Sequence, residues 1–200
     1  MSVSAIILAA GESRRMGDAN KLLLNINGKP IIRHVVEAVA ASSASECIVV
    51  LGHEAEMVKS ALDGLTVTFV PNSKYAEGMG TSIQAGVSVA SPDAHGYMIC
   101  LSDMPFIQAG EYSDLIKHFR KAFQENKEAI TVPVFEGKRG NPVIMSAKYK
   151  PDILVLEGHV GCRNIIKKNP AHVTRYPMDL DHVTRDIDTP AAFHAIASNK

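Results

Sequence analysis

Cysteine is scarce. Cys47, Cys100 and Cys162 are the only three in 200 residues, an odd number, far apart, with no C-x-x-C. That argues against a disulfide framework and against a zinc-thiolate site. Cys47 and Cys100 lie in or beside apolar, strand-like runs and read as core residues. Net charge is also missing: 21 Lys+Arg balance 21 Asp+Glu, so the basic excess typical of duplex-binding proteins is absent. A local basic cluster can still hold a small anion. No apolar run approaches the ~18 residues of a membrane span. The N-terminal stretch MSVSAIILAAGESRRMG carries its charges after its apolar run, whereas a signal peptide carries them before it. The start therefore reads as a buried strand and the protein as cytoplasmic, with neither nucleic acid nor membrane as a partner.

Several catalytic signatures are missing as well. The eight histidines are scattered with no H-x-x-x-H pair. There is no G-x-x-x-x-G-K-[ST] phosphate loop, no G-x-S-x-G elbow and no convincing Ser/His/Asp set. The nearest approach to a dinucleotide fingerprint, Gly78-Met79-Gly80-Thr81-Ser82-Ile83, has Ile where the third glycine belongs and follows a long loop instead of a strand. The dinucleotide-oxidoreductase reading is set aside on that ground.

What is present is an alternation of short β-branched runs with helical segments. Strands are predicted at Val3–Leu8, Cys47–Leu51, Thr66–Val70, Tyr97–Leu101, Ala129–Pro133, Pro142–Met145 and near His172–Tyr176. Helices are predicted at Pro30–Ala41, Glu54–Leu62, Thr81–Ala90, Gln108–Asn126, Lys150–Leu156 and Gly161–Lys168, with a last one after Pro190. This predicts one α/β domain over residues 1–200, a Rossmann-like three-layer sandwich with a mostly parallel sheet. The stretch 135–185 is less regular and reads as a small subregion over the sheet edge. Parallel sheets bind ligands beyond the carboxyl ends of their strands. The loops after the first and third strands, and Asp103 after the fourth, fall there.

Five motifs carry the chemistry. Leu8-Ala9-Ala10-Gly11 followed by Arg14-Arg15-Met16-Gly17 and Lys21 sets small residues, whose backbone N–H groups approach phosphates, beside a guanidinium fork and a point charge. Ser102-Asp103-Met104-Pro105 puts a carboxylate at a strand end, as a cap or as a ligand for a hard cation. Asp186-Ile187-Asp188-Thr189-Pro190 reads as a helix start, yet its alternation points both carboxylates to one side. Asp103 and Asp188 together would make a credible magnesium site. The polar loop Pro71–Ser82 suits a cover over a base or ribose, with Asn72 and Ser82 as hydrogen-bonders, or a plain surface loop. Gly137-Lys138-Arg139-Gly140-Asn141-Pro142 reads equally as a basic turn or as a holder of a second anionic substrate, with Arg163 assisting.

Taken in order, Ile7-Leu8-Ala9-Ala10-Gly11, Arg14-Arg15-Met16-Gly17, Lys21-Leu22-Leu23, Glu77-Gly78-Met79-Gly80-Thr81-Ser82, Leu101-Ser102-Asp103-Met104-Pro105, Gly140-Asn141-Pro142 and Asp186–Pro190 resemble the MobA-like nucleotidyltransferase superfamily. Within it the chain is most similar to the MocA-type molybdenum cofactor cytidylyltransferases. The resemblance implies a fold of the nucleotide-diphospho-sugar transferase type. It also implies a magnesium-dependent transfer of CMP from CTP to molybdenum-bearing molybdopterin, with pyrophosphate leaving, in the service of a molybdenum hydroxylase of the xanthine-dehydrogenase type. Leu8, Ala9, Ala10, Gly11 and Arg15 would then hold the triphosphate and Lys21 would neutralise the α-phosphate. Asn72, Gly78 and Ser82 would frame base and ribose, Asp103 and Asp188 would bind magnesium, and Arg139, Gly140, Asn141 and Arg163 would face the pterin. Arg15, Lys21 and Asp103 are the expected catalytic groups. Guanylyltransferase relatives read L-A-G-G where this chain has Leu8-Ala9-Ala10-Gly11, and an Ala10 methyl crowding a purine or reshaping the backbone favours CTP over GTP. A guanylyltransferase, a sugar-phosphate nucleotidyltransferase of the same fold, and a non-catalytic cofactor carrier or maturation factor are the alternatives.

Overall fold

The run Val3–Ala9 is buried along almost its whole length on both faces, and a strand of that kind needs a cover on each side. A computed structural model, describing residues 1–13 and 20–197, supplies it. In chain order the strands are β1 (Val3–Ala9), β2 (Asn25–Ile26), β3 (Lys29–Pro30), β4 (Glu46–Leu51), β5 (Thr68–Pro71), β6 (Gly96–Leu101), β7 (Ile130–Phe135), β8 (Lys138–Arg139), β9 (Val143–Ser146) and β10 (Val173–Pro177). The helices are α1 (Ile31–Ala40), α2 (Ala55–Ser60), α3 (Met79–Val89), α4 (Ala109–Glu125), α5 (Lys150–Ile153), α6 (Arg163–Lys168) and α7 (Pro190–Ala197). The main sheet runs β10-β7-β9-β6-β1-β4-β5, with β8 paired to β7, and β2 and β3 form a separate hairpin. Ile6 of β1 lies opposite Ile48 of β4 and Ile99 of β6, both in parallel register. Within that path only β9 runs antiparallel to its neighbours, so the fold is α/β with a mostly parallel sheet.

The period-two alternation of β1 divides the interior. Val3, Ala5, Ile7 and Ala9 join one core with α1, α2 and α4. Ile6 and Ala10 join the other with α3, α5 and α6. Helix α1 belongs to its face because Ile31, Ile32, Val35, Val36 and Val39 recur at helical spacing and are all buried. Helix α4 is started by a capping box between Gln108 and Glu111, and it buries Tyr112, Leu115, Ile116 and Phe119. Leu115, Ile116 and Phe119 each contribute about 1.5–3 kcal/mol on burial. Cys100 is buried in the sheet core and Cys47 packs against it; burial pushes the Cys47 thiol up to about 12. Phe193 of α7 packs on a small satellite core of Ile26, Ile31 and Ile187.

One expectation needs correcting. The stretch 135–185 is not a subregion over the sheet edge, because β9 lies inside the main sheet between β6 and β7. Val143, Ile144 and Met145 are all buried, and an edge position would leave one row of their backbone groups unpaired. No described helix is long and apolar enough to cross a membrane.

Candidate active site

The same-sense strands of the sheet end on one edge, and short hydrogen bonds lace their loops together there. The amide of His53, after β4, donates to the Ala10 carbonyl (3.2 Å), and the Asn72 amide, after β5, donates to that of Leu51 (2.7 Å). The Ser102 hydroxyl, after β6, donates to the Leu8 carbonyl (2.6 Å). The Ile187 amide donates to the Asp103 carbonyl (3.0 Å), which draws the Asp186–Pro190 segment to the end of β6.

Between these loops lies a cavity of about 470 Å³. Its floor is an ion-pair cluster. Lys21 Nζ stands 2.5 Å from Asp103 Oδ2 and 2.6 Å from Asp188 Oδ1. Ile187 is wholly buried, and by alternation its neighbours Asp186 and Asp188 turn the other way. As a result Asp103, Asp186 and Asp188 each bring an oxygen within 4.8 Å of the others. Burial alone would pull the Lys21 pKa down, but the charges of Asp103 and Asp188 outweigh it and hold the ammonium above its usual range. At Asp186, partial desolvation and the like charges of Asp188 and Asp103 push the carboxyl upward. Asp103 Oδ1 is buried with no hydrogen-bond partner. Three convergent carboxylates and an orphaned carboxylate oxygen fit a hard divalent cation, whose ligands are oxygens. Asp103 and Asp188 would hold it, with Asp186 adjoining.

The roof comes from the loop after β5. Gly78 has a φ of +124°, and a Cβ there would stand 2.5 Å from the Gly158 carbonyl carbon, so only glycine fits. The Gly80 amide donates to the Gly158 carbonyl (3.0 Å). These contacts carry His159 to the cavity wall beside Tyr75, Met79 and Ser82. A second cavity of about 280 Å³ adjoins, walled by Lys138, Arg139, Gly140, Asn141 and Thr184. Leu101 and Asp186 line both. Gly140 packs under Val183, where a Cβ would lie 2.2 Å from the Val183 carbonyl oxygen, and the Asn141 amide donates to that oxygen (2.8 Å). Arg139 is lowered from the usual arginine range, first by partial desolvation and then by the charge of Arg163. Arg163, exposed at the start of α6, lines neither cavity.

Of the residues singled out in the sequence, Leu8, Ala10, Gly11, Lys21, Gly78, Ser82, Asp103 and Asp188 line the large cavity, and Arg139, Gly140 and Asn141 line the small one. Arg15 lies outside the described residues. Ala9 is buried in the core side of β1. Asn72 lies off the cavity wall. Its Nδ2 donates to the hydroxyls of Thr81 and Ser82 (3.0 Å each) and its Oδ1 accepts from the Lys74 amide (2.9 Å), so it braces the loop. The Ala10 side chain is 3% exposed, and a Cβ on Gly52 would meet its methyl at 2.7 Å. The methyl thus packs toward Gly52. Tyr75 and His159 were not anticipated; an aromatic ring and an imidazole in glycine-rich loops are the only signal they give.

The model of the MobA-like NTP transferase domain family matches residues 5–173. The bifunctional protein GlmU of Syntrophomonas wolfei is 34% identical over 122 residues, 60% of this chain and 27% of GlmU, so the chain spans about a quarter of that relative. Nicotine blue oxidoreductase of Paenarthrobacter nicotinovorans is 25% identical over 190 residues, 94% of this chain and 92% of that protein. Among solved structures, a nucleotidyl transferase from Methanothermobacter superposes with a TM-score of 0.84 at 21% identity, covering 98% of this chain and 96% of its own. The manganese complex of Rv0371c from Mycobacterium tuberculosis superposes with a TM-score of 0.79 at 20% identity, covering 100% of each chain.

Proposed function

The chain belongs to the MobA-like NTP transferase domain family, and from that premise we propose that it is a molybdenum cofactor cytidylyltransferase. A phosphate oxygen of molybdopterin attacks the α-phosphorus of CTP, the bond to the β-phosphate breaks, pyrophosphate leaves, and molybdopterin cytosine dinucleotide forms. The observation that carries this reading is the pair of cavities sharing Leu101 and Asp186, one floored by Lys21, Asp103 and Asp188, the other lined by Lys138 and Arg139. A donor and an anionic acceptor in these two cavities would meet at the shared wall.

The chain's own part is positioning and charge. The Ala10–Gly11 backbone and Ser13 line the side where a triphosphate lies, with Arg15 as a further cation from the adjoining segment. The Lys21 ammonium neutralises a phosphate oxygen as charge builds on it. Ser82 and the Gly78 backbone face base and ribose. Arg139, Gly140, Asn141 and Arg163 receive the acceptor phosphate, which is already an anion and demands no general base. A magnesium ion on Asp103 and Asp188 would screen the triphosphate and favour the departure of pyrophosphate. The manganese in the Rv0371c structure supports a divalent cation in this fold. We place the protein in the cytoplasm, supplying a molybdenum hydroxylase.

A second reading comes from the full-length likeness to a protein named nicotine blue oxidoreductase. One experiment separates the readings. Purified protein is given magnesium, molybdenum-loaded molybdopterin and either CTP or GTP, and pyrophosphate and dinucleotide are measured; parallel reactions offer a hexose 1-phosphate as acceptor, or nicotine blue with a two-electron reductant. The cytidylyltransferase reading expects product from CTP and molybdopterin, abolished by Asp103→Ala. Product from GTP or with the sugar phosphate moves the assignment within the fold, and turnover of nicotine blue alone overturns it.

A further inference from the structure

Lys21 does not point at an open phosphate cradle. Its ammonium sits between two carboxylate oxygens, 2.5 Å from Asp103 and 2.6 Å from Asp188. A divalent cation on the same two oxygens would need about 2.0–2.1 Å to each if magnesium, and so would occupy nearly the same point. The two cations cannot share those oxygens, because their volumes overlap and their charges repel, and a divalent cation on the unpartnered Asp103 Oδ1 would still stand beside the ammonium. We infer that Lys21 is a resident counter-ion of this site, holding Asp103 and Asp188 together in the free protein and giving way when a divalent cation arrives with a polyphosphate. The inference rests on the reading of Asp103 and Asp188 as the metal carboxylates.

The local structure is built for such an exchange. The backbone at Lys21 is fixed. Asn20 Oδ1 accepts from the Leu22 amide (3.1 Å), the Lys21 amide donates to the Ser13 hydroxyl (3.3 Å), and Leu22 is 2% exposed. Only the four-carbon stem is left to move, and its head already borders the cavity beside Gly11 and Ser13. A triphosphate in that cavity offers the displaced ammonium new anionic oxygens. Metal alone offers none: evicting Lys21 then leaves it only Asp186 and Glu12 on the cavity wall, next to a doubly charged ion. Metal and polyphosphate should therefore bind cooperatively, and metal alone weakly. The same device keeps three carboxylates with oxygens within 4.8 Å of one another from facing each other uncompensated in the free protein.

The test uses the full chain and Mn2+ alone as the probe, with bound manganese read by electron paramagnetic resonance. Lys21→Met keeps the stem and removes the charge. It is expected to bind Mn2+ roughly tenfold or more tightly than the unmutated protein, as expected for one short-range unit charge in a partly solvated site. Adding Asp103→Asn to Lys21→Met should abolish that gain. Equal or weaker Mn2+ binding by Lys21→Met overturns the exchange while leaving the metal site standing. No Mn2+ binding by any of the chains overturns both the metal reading and this inference. A measurement that needs no variant is the acylation rate of the Lys21 amine, followed by mass spectrometry. It should rise several-fold when Mn2+ alone is added, and fall again when inorganic tripolyphosphate joins the metal; a rate indifferent to Mn2+ counts against the exchange.

Discussion

Gly78 and Gly158 pass so closely that a Cβ on the first would stand 2.5 Å from the carbonyl carbon of the second. The contact joins the loop after β5 to the segment before α6, which the Gly80 amide also ties by donating to the Gly158 carbonyl. It makes the cavity roof a single unit. Gly78→Ala combines that overlap with a φ of +124°, and we expect a loss of about 2–4 kcal/mol with weakened nucleotide binding. Gly158→Ala has a φ of +66° and open space around its Cβ, so about 1 kcal/mol is expected there. Thermal unfolding and CTP titration of the two variants check the contrast. Equal losses would mean that the close approach does not shape the roof.

Asp188→Asn leaves Lys21 with one charged partner, Asp103, and removes one carboxylate from the cluster. Turnover should fall by about a hundredfold or more, the scale for losing one preorganised electrostatic group at a reacting phosphate. The magnesium concentration needed for half-maximal rate should rise at the same time. Removing divalent metal with a chelator should stop turnover of the unmutated protein, and adding magnesium or manganese back should restore it. A variant with lowered turnover and an unchanged magnesium requirement would take Asp188 out of the metal site.

The convergence of Asp186 and Asp188 was legible in the sequence, because a buried Ile187 between two acids is a period-two signal. So were the parallel strand ends, since Val3–Ala9 and Gly96–Leu101 are apolar on both faces. The Lys21 bridge was not legible. Its partners lie 82 and 167 residues away, and no local pattern reports a contact of that span. The contacts of Asn72 were also hidden, because composition marks a polar loop without naming Thr81, Ser82 and Lys74 as the groups its amide meets. The interior place of β9 escaped for a similar reason: a four-residue apolar run suits an edge or a centre, and only its antiparallel pairing to β6 and β7 decides.

His118 gives a pH dependence with a definite sign. It lies on α4 against Tyr176, ring centroids 5.0 Å apart, with its Nε2 buried and unpartnered. Desolvation first, then the charge of Lys121, lowers its pKa below the ordinary value of 6.5. Below 6.5 the unfolded chain takes up a proton that the folded chain refuses, so stability falls as pH drops from 6.5 toward the lowered folded value. His118→Phe cannot titrate and should lose less stability over that window. Denaturant unfolding of both chains between neutral pH and the lower end of that window measures the difference. Parallel curves would show that His118 titrates alike in both states.

Arg139 lines the small cavity and forms no ion pair with a carboxylate among the described residues. A guanidinium on a cavity wall with no carboxylate partner can take an anion through a charge-assisted hydrogen bond. Arg139→Ala should therefore weaken acceptor binding by roughly ten- to a hundredfold, the range of one charge-assisted hydrogen bond of about 1.5–3 kcal/mol. The KM for CTP should stay within about twofold, because Lys21 and the Gly11 loop lie in the other cavity. Arg139→Lys keeps the charge without the planar fork and should recover part of the loss. Steady-state kinetics with each substrate varied in turn makes the comparison. An effect falling on CTP instead of the acceptor would reverse the assignment of the two cavities, and an equal effect on both would mean that Arg139 supports the shared wall at Leu101 and Asp186 rather than one ligand.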